Sequence, residues 1–505
     1  MKQRFCRKKI RYNECMQKWV LPITVFVSGM LVMILELIGT RMIAPYFGSS
    51  LHVWTAMIGT ILGFLSLGYF IGGRMADKHA TYERLGFVLL FNAVACLVLV
   101  FSARYILLFL ANIVPFTSIG ALIATLLLFS IPSVLFGIVS PYAAKLQIHT
   151  LKSTGTTVGN LYALGTIGSI TGTFLAGYYL LSVMGSFQLI FLISMALMIN
   201  ATILLKKSFL SLIGMSIIAT LYFGFLSPTK YYQIPYDTHV MAIEHTQYSD
   251  YFILQYEDKG DIFRMLMTDF AGVQSKHKMG HRDELAAAYS RFFTLPACYN
   301  LNDRVLLIGG GAFTYPNYYS SQFPDGQMDA VEIDPALTSI AREYFELAPN
   351  IEGVQIINED GRVYLNRNTK KYDTILVDAY ANSIPPFQLT TKEAIKIMYD
   401  SLDANGLLIM NVLSVIDDKK PTLVDVEMKT VQEVFGNITV YQVMKDKDFE
   451  ETQGFILVAE KGDVRLQSTC LVTNQGLQNN ILQYQPKEQT PIFTDTYAPV
   501  ENVIF

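Results

Sequence analysis

The stretch RVLLIGGGAFTYP, Arg304 to Pro316, decides how the second half of this 505-residue chain folds. Four apolar residues run into Gly309, Gly310 and Gly311, the pattern of a buried strand ending at a turn where backbone must approach something closely. Around it, apolar runs and helical stretches alternate. Strands fit VLLIGG (305–310), MDAVEID (328–334), VQIINED (354–360), YDTILVDA (372–379) and GLLIMNVL (406–413), with helices over about 335–346 and 391–403. Such alternation predicts a doubly wound, Rossmann-like α/β fold, in which ligands bind beyond the carboxyl ends of the strands.

Several of those strand ends carry residues suited to a ligand. The absent side chains of Gly309, Gly310 and Gly311 let backbone amides reach it at the start of a helix. Glu332, 23 residues beyond Gly309 and at the end of the next strand, is placed to accept both hydroxyls of a ribose. Asp334-Pro335 reads as an N-cap followed by proline at the first helical position. Asp360-Gly361 has two readings, an acceptor for an adenine amino group or a helix cap. Asp378, ending the apolar run TILVDA, is placed either to take a proton from an attacking amine or to cap the loop that follows.

Upstream, the composition changes. Residues 1–227 hold 16 Lys and Arg against 4 Asp and Glu, and residues 228–505 hold 23 against 38. A membrane helix needs about 20 apolar residues, and seven runs qualify: 20–40, 52–73, 85–103, 117–141, 158–181, 187–205 and 208–227. YILLFLANIV after Arg104 either extends the third or forms a short re-entrant piece. The basic segment 1–19 flanks the first span on the cytoplasmic side, and Lys and Arg cluster in alternate loops thereafter, so seven spans favour the outside for the rest of the chain, while its side stays open. Gly59/Gly63, Gly68/Gly72 and Gly168/Gly172 suit close helix packing. Glu36, inside the first span, fits a polar pathway or a pairing with Arg41 or Arg104. Residues 228–284 read as a linker, SPTKYYQIPYDT, followed by a small antiparallel meander with runs at 239–246, 251–257 and 261–270. The α/β domain then occupies 285–505. Five scattered cysteines give no metal pattern, though Cys298 and Cys470 could pair outside the cell.

GVQS (272–275), LLIGGG, VEIDP, NEDGR and LVDAYANSIPPFQLTTKEA resemble the spermidine synthase family of aminopropyltransferases. With ELIGTRMIAPYFGSS and GYFIGGRMADK, the whole chain resembles the membrane-fused bacterial branch of that family. The resemblance implies a methyltransferase-type fold and transfer of an aminopropyl group from decarboxylated S-adenosylmethionine to an amine such as putrescine. It implies that Gln274 and Glu332 contact the nucleoside, that Asp360 and Gly361 contact its adenine, and that Asp378 accepts the proton. Tyr289 and Tyr380 fall in the matching acceptor positions. No metal or permanently bound cofactor is implied, since the sulfonium is already a good leaving group.

This chain departs from the pattern of soluble synthases at four places. Ala312 and Ala381 stand where that pattern has acids, and Ser290 and Arg291 follow Tyr289 where it has an acid and its neighbour. Weaker pairing with cationic ligands is the expected consequence. Two other functions stay open: a methyltransferase using intact S-adenosylmethionine, and a non-catalytic membrane transporter or sensor with a nucleoside- or polyamine-binding domain. The expected partners are a small amine and the lipid bilayer, with no nucleic acid; homo-oligomerisation stays open.

Overall fold

The computed structural model describes residues 2–47, 51–114, 117–148, 154–205, 214, 238–268, 272–380, 385–463, 477 and 479–500, with side chains from Trp19 onward. They form two compact units, Met1–Gln233 with His245–Gln247, and Ile234–Glu244 with Tyr248–Phe505.

Among the described residues of the first unit, six helices are long and apolar enough to cross a membrane. They are α1 (Lys2–Phe47), α2 (Leu51–His79), α3 (Tyr82–Ile113), α4 (Thr117–Gln147), α5 (Thr154–Leu175) and α6 (Ser186–Leu205). Apart from Gly214, the expected seventh span, 208–227, and the linker before Thr238 lie outside the described residues. The helices run beyond the apolar limits read from the sequence, because a helix need not stop where its apolar run does. Thus the basic N-terminal segment is continuous with α1, and YILLFLANIV extends α3 instead of forming a separate piece. A π-helical turn, Ala176–Leu180, prolongs α5.

Glycines set how closely two helix pairs approach. A Cβ on Gly168 would lie 2.1 Å from the Phe26 carbonyl oxygen, and one on Gly172 would lie 2.3 Å from that of Met30, so α5 rests directly on the backbone of α1. Gly68 meets Val134 of α4 in the same way. Gly59 and Gly63 differ from the expectation: nothing lies within 4 Å of a Cβ at either. Gly168→Ala should therefore destabilise the unit by about 1–3 kcal/mol through overpacking. Gly59→Ala should be neutral or slightly stabilising, since alanine is the better helix former. Thermal unfolding in detergent would check the contrast; equal effects at the two positions would refute it. Glu36 is partly buried and makes no ion pair among the described residues, while the Arg41 guanidinium donates to the Leu181 carbonyl at 2.8 Å.

The second unit opens with a four-stranded antiparallel sheet, β1 (His239–His245), β2 (Asp250–Asp258), β3 (Asp261–Thr268) and β4 (Val273–Lys278), paired in chain order. The meander thus has one strand more than its apolar runs suggest. The fourth, VQSKHK, is too polar to stand out.

The large sheet contains β5 (Arg304–Ile308), β6 (Gln327–Glu332), β7 (Val354–Asn358), β8 (Tyr372–Val377), β9 (Leu402–Ser414), β10 (Ile438–Gln442), β11 (Gln453–Lys461) and β12 (Ile481–Leu482). Its order is β12-β10-β11-β9-β8-β5-β6-β7. Strands β5 to β9 are parallel, as expected, and β10 to β12 add an antiparallel extension. Alternate residues of β5 enter two cores. Val305 and Leu307 pack with the β2–β3 hairpin, the 3-10 segment Tyr289–Tyr299 and two helices, α7 (Thr314–Gln322) and α8 (Pro335–Tyr344). Leu306 and Ile308 pack with α9 (Gly361–Arg367), α10 (Lys392–Ser401) and α11 (Leu423–Phe435). Burial on both faces is why these strands read as unbroken apolar runs.

Candidate active site

Strand order locates the crevice. From β5 the chain proceeds to β6 and β7 on one side and to β8 and β9 on the other, so the loops after β5 and β8 diverge at a switch point. Gly309 and Asp378 occupy those two loops. The Gly309 amide donates to Val331 O at 2.9 Å, and the Asp378 amide donates to Ile308 O at 2.8 Å, which binds the ends of three strands together. Gly309 has φ +99°, and a Cβ there would fall 2.2 Å from the Asp378 carbonyl oxygen.

Beyond Gly309 the loop is held by side chains rather than by a regular turn. Glu332 Oε2 accepts from the Gly310 amide at 2.8 Å and the Gly311 amide at 3.1 Å, while its Oε1 accepts from Asp334 N at 3.0 Å. Burial raises its pKa, and these three amides oppose the rise. Three of the roughly four acceptor positions of a carboxylate are thus occupied by backbone. A diol taking both oxygens would have to displace a loop amide. Ala312, fully buried, donates its amide to Ser275 Oγ on β4 at 3.1 Å, so the small sheet fixes the far side of the loop.

Two cap expectations hold geometrically. Asp334 accepts from Ala336 N at 3.0 Å at the start of α8. Asp360 Oδ1 accepts from Arg362 N at 2.8 Å and Val363 N at 3.0 Å, capping α9 where Gly361 begins it. The other Asp360 oxygen faces Gln388 Nε2 at 3.5 Å.

Asp378 is partly buried at the end of β8. Its Oδ1 accepts from Asn411 Nδ2 at 2.9 Å. Burial pushes its pKa up to about 6, against the lowering effect of hydrogen bonds from Asn411 and Tyr289; the Glu332 carboxylate adds to the rise. The Tyr289 hydroxyl donates to the Gln274 carbonyl at 2.8 Å and lies in the field of Asp378, and burial followed by that charge holds its own pKa well above the usual value. Gln274 turns its amide to Thr268 Oγ1 at 2.9 Å. Gln274, Gly309, Gly310, Gly311, Tyr289, Glu332 and Asp378 are therefore linked by direct contacts. Tyr380 is used differently: its hydroxyl donates to Asn411 O and accepts from Leu413 N at 3.0 Å, so it completes the open edge of β9 and has no free donor for an acceptor molecule. Ala381 lies outside the described residues.

Three residues join the site without having stood out in the sequence. Ser275 holds the glycine loop and Asn411 holds Asp378. Tyr248, in the turn between β1 and β2, has its pKa raised by burial and by the charges of Asp334, Asp360 and Glu332. Asn411 carried a usable signal, a single amide near the end of the apolar run GLLIMNVL.

The model of the family described as "Spermine/spermidine synthase domain" matches residues 290–468. The chain is 29% identical over 189 residues to the probable polyamine aminopropyl transferase of Bifidobacterium longum, covering 37% of this chain and 41% of that protein. It is 32% identical over 147 residues to the polyamine aminopropyltransferase of Vibrio vulnificus, covering 28% and 47%. The chain thus spans somewhat under half the length of these two curated relatives. The eEF1A lysine and N-terminal methyltransferase of Xenopus laevis is 28% identical over 129 residues, covering 24% of this chain and 18% of that protein. Among solved structures, a probable spermidine synthase from Corynebacterium glutamicum aligns with TM-score 0.40 and 22% identity, covering 49% of this chain and 89% of that one.

Proposed function

From a chain whose residues 290–468 carry a spermine/spermidine synthase domain, we propose a membrane-anchored aminopropyltransferase that uses decarboxylated S-adenosylmethionine and an amine such as putrescine. The observation that carries this reading is Asp378, a carboxylate raised to about 6 and held by Asn411 and Tyr289 beside the glycine loop. A base with that pKa is ionised at neutral pH, yet basic enough to take a proton as an amine becomes cationic.

In this reaction the acceptor nitrogen attacks the aminopropyl carbon bonded to sulfur. The C–S bond breaks, sulfur keeps the electron pair, and methylthioadenosine leaves. The new N–C bond makes nitrogen positive, and its proton passes to Asp378. Alignment of neutral amine, carbon and sulfur is the protein's main task. In this reading Gly309 to Gly311, Glu332 and Gln274 hold the nucleoside, Asp360 and Gly361 border its adenine, and Tyr289 orients Asp378. Tyr248 closes the nucleoside side. Incubating the purified full chain with decarboxylated donor and putrescine should release methylthioadenosine and spermidine. Methyl transfer from intact donor would replace this reading with the methyltransferase, and binding without turnover would favour a transporter or sensor.

The reading includes the side of the membrane. Cys298 is disulfide-bonded and buried, and a stable disulfide belongs to an oxidising compartment. The seven-span charge reading also favours the outside for this unit. Cys470, the expected partner, lies outside the described residues. A reporter fused after Phe505 that fluoresces only in the cytoplasm should stay dark; bright cells would reverse the topology.

A further inference from the structure

A row of hydrogen bonds runs from the C-terminal segment to Asp360. Phe493, fully buried, anchors that segment: its carbonyl accepts from Lys392 N at 2.8 Å, and its amide donates to Thr430 Oγ1 at 3.2 Å. Two residues on, in a turn closed by a bridge between Thr494 and Tyr497, the Asp495 amide donates to Glu393 Oε2 at 2.9 Å. The Asp495 carboxylate then takes two donors, Thr391 Oγ1 at 2.6 Å and Arg362 Nη2 at 2.7 Å. Arg362 is the second residue of α9. Its Nη1 donates to the Gln388 carbonyl at 2.9 Å and to Thr391 Oγ1 at 3.2 Å, and its Nε donates to Asn366 Oδ1 at 3.2 Å. Gln388 lies in the 3-10 turn Phe387–Leu389, and its side-chain Nε2 turns back to Asp360 Oδ2 at 3.5 Å.

The two partners of the ion pair differ in exposure, 44% for the Asp495 side chain and 13% for that of Arg362. A pair with one open partner contributes little to stability. A planar guanidinium held by Asn366, Gln388, Thr391 and Asp495 nevertheless has a single orientation, and that orientation decides where the Gln388 backbone lies. Asp360 Oδ1 is committed to the amides of Arg362 and Val363, so Oδ2 is the oxygen that remains for a ligand donor, with Gln388 as its neighbour. We propose that Asp495 is a positioning residue which, through Arg362 and Gln388, directs Asp360 Oδ2 to the amino group of the donor's adenine. This role rests on the nucleoside reading above and gives the C-terminal segment a part in the choice of base. An amino group donates to that oxygen, whereas a purine with a carbonyl in the same place presents an acceptor and leaves the carboxylate unpaired.

The test compares methylthioadenosine with methylthioinosine, its analogue with a carbonyl in place of the amino group, by calorimetry on the detergent-purified full chain. Wild type, Asp495→Asn, Asp495→Glu and Arg362→Lys are each measured, with a melting curve alongside. Wild type should prefer methylthioadenosine by at least about 30-fold, the range of a hydrogen bond to a charged group. Asp495→Asn keeps the shape and an oxygen for Thr391 but loses the charge that holds Arg362. It should weaken methylthioadenosine by about tenfold and methylthioinosine by less than about twofold, with little change in melting temperature. Arg362→Lys keeps the charge without the fork and should show the same loss of preference, while Asp495→Glu should recover part of it. Equal weakening of both nucleosides in Asp495→Asn, or no change in either, overturns the positioning role, as does a wild type without preference. A wild type that binds neither nucleoside removes the nucleoside reading together with it. Methylthioadenosine release from the decarboxylated donor is measured separately. An Asp495-dependent preference without any release would defeat the transfer and leave the positioning role standing.

Discussion

Asp378→Asn is expected to lower kcat for aminopropyl transfer by about 10²–10⁴-fold, the contribution usual for a positioned general base, while leaving methylthioadenosine affinity nearly unchanged. Asparagine keeps the shape and the contact with Asn411 but has no basic oxygen of comparable strength. The same change should alter stability in the opposite direction. Because burial raises the folded-state pKa from 3.8 to about 6, the folded protein holds an extra proton between those values, and stability falls as pH rises through that window. Above it the ionised carboxylate costs stability that the amide does not, so the variant should be more stable at pH 8 by about 1–2 kcal/mol. In wild type, kcat should decline as pH drops below about 6, where the base becomes protonated. Rates and melting temperatures across pH 5–9 check both halves. A variant retaining more than about a tenth of the wild-type rate would remove Asp378 from the role of base.

Gly309→Ala carries the second large expected effect. A non-glycine residue at φ +99° is strained, and the added carbon would meet the Asp378 carbonyl oxygen at 2.2 Å and its carbon at 2.6 Å. The obstacle is backbone, already fastened by the Asp378 amide to β5, so it cannot swing aside. Strain and overlap together should cost about 3 kcal/mol or more and weaken nucleoside binding by at least about 100-fold. Gly311→Ala is the internal comparison. Its φ of +52° is one that other residues occasionally adopt, and the nearest atom, Ser275 Oγ at 2.7 Å, belongs to a side chain that can rotate. Its loss should be several-fold smaller. Comparable effects at both positions, in binding and in unfolding by denaturant, would show that contact with the Asp378 backbone is not what constrains this loop.

Much of the architecture was written locally. Apolar runs marked six of the described helices, because a helix able to cross a membrane needs about 20 such residues regardless of neighbours. In the α/β unit, strands buried on both faces are uniformly apolar, so a lone acid or a glycine run at a strand's end stands out. Gly309, Glu332, Asp360 and Asp378 were visible for that reason. Elements without such contrast were missed. VQSKHK is polar, and pairing decides its conformation. The antiparallel strands β10 to β12 likewise depend on partners far along the chain.

Residue type and position determined by themselves that this chain has a lipid-compatible half and a crevice-forming α/β half with acids at its strand ends. What each acid does was decided by tertiary structure. Glu332 ties down the glycine loop, Asp360 caps a helix, and Tyr380 completes a strand edge instead of offering its hydroxyl. Asn411 and Ser275 met Asp378 and the glycine loop only when distant segments came together. The physical reason is range. Burial and backbone periodicity act over a few neighbouring residues and leave a trace in sequence, whereas hydrogen bonds and desolvation depend on which side chains the fold brings within a few ångströms.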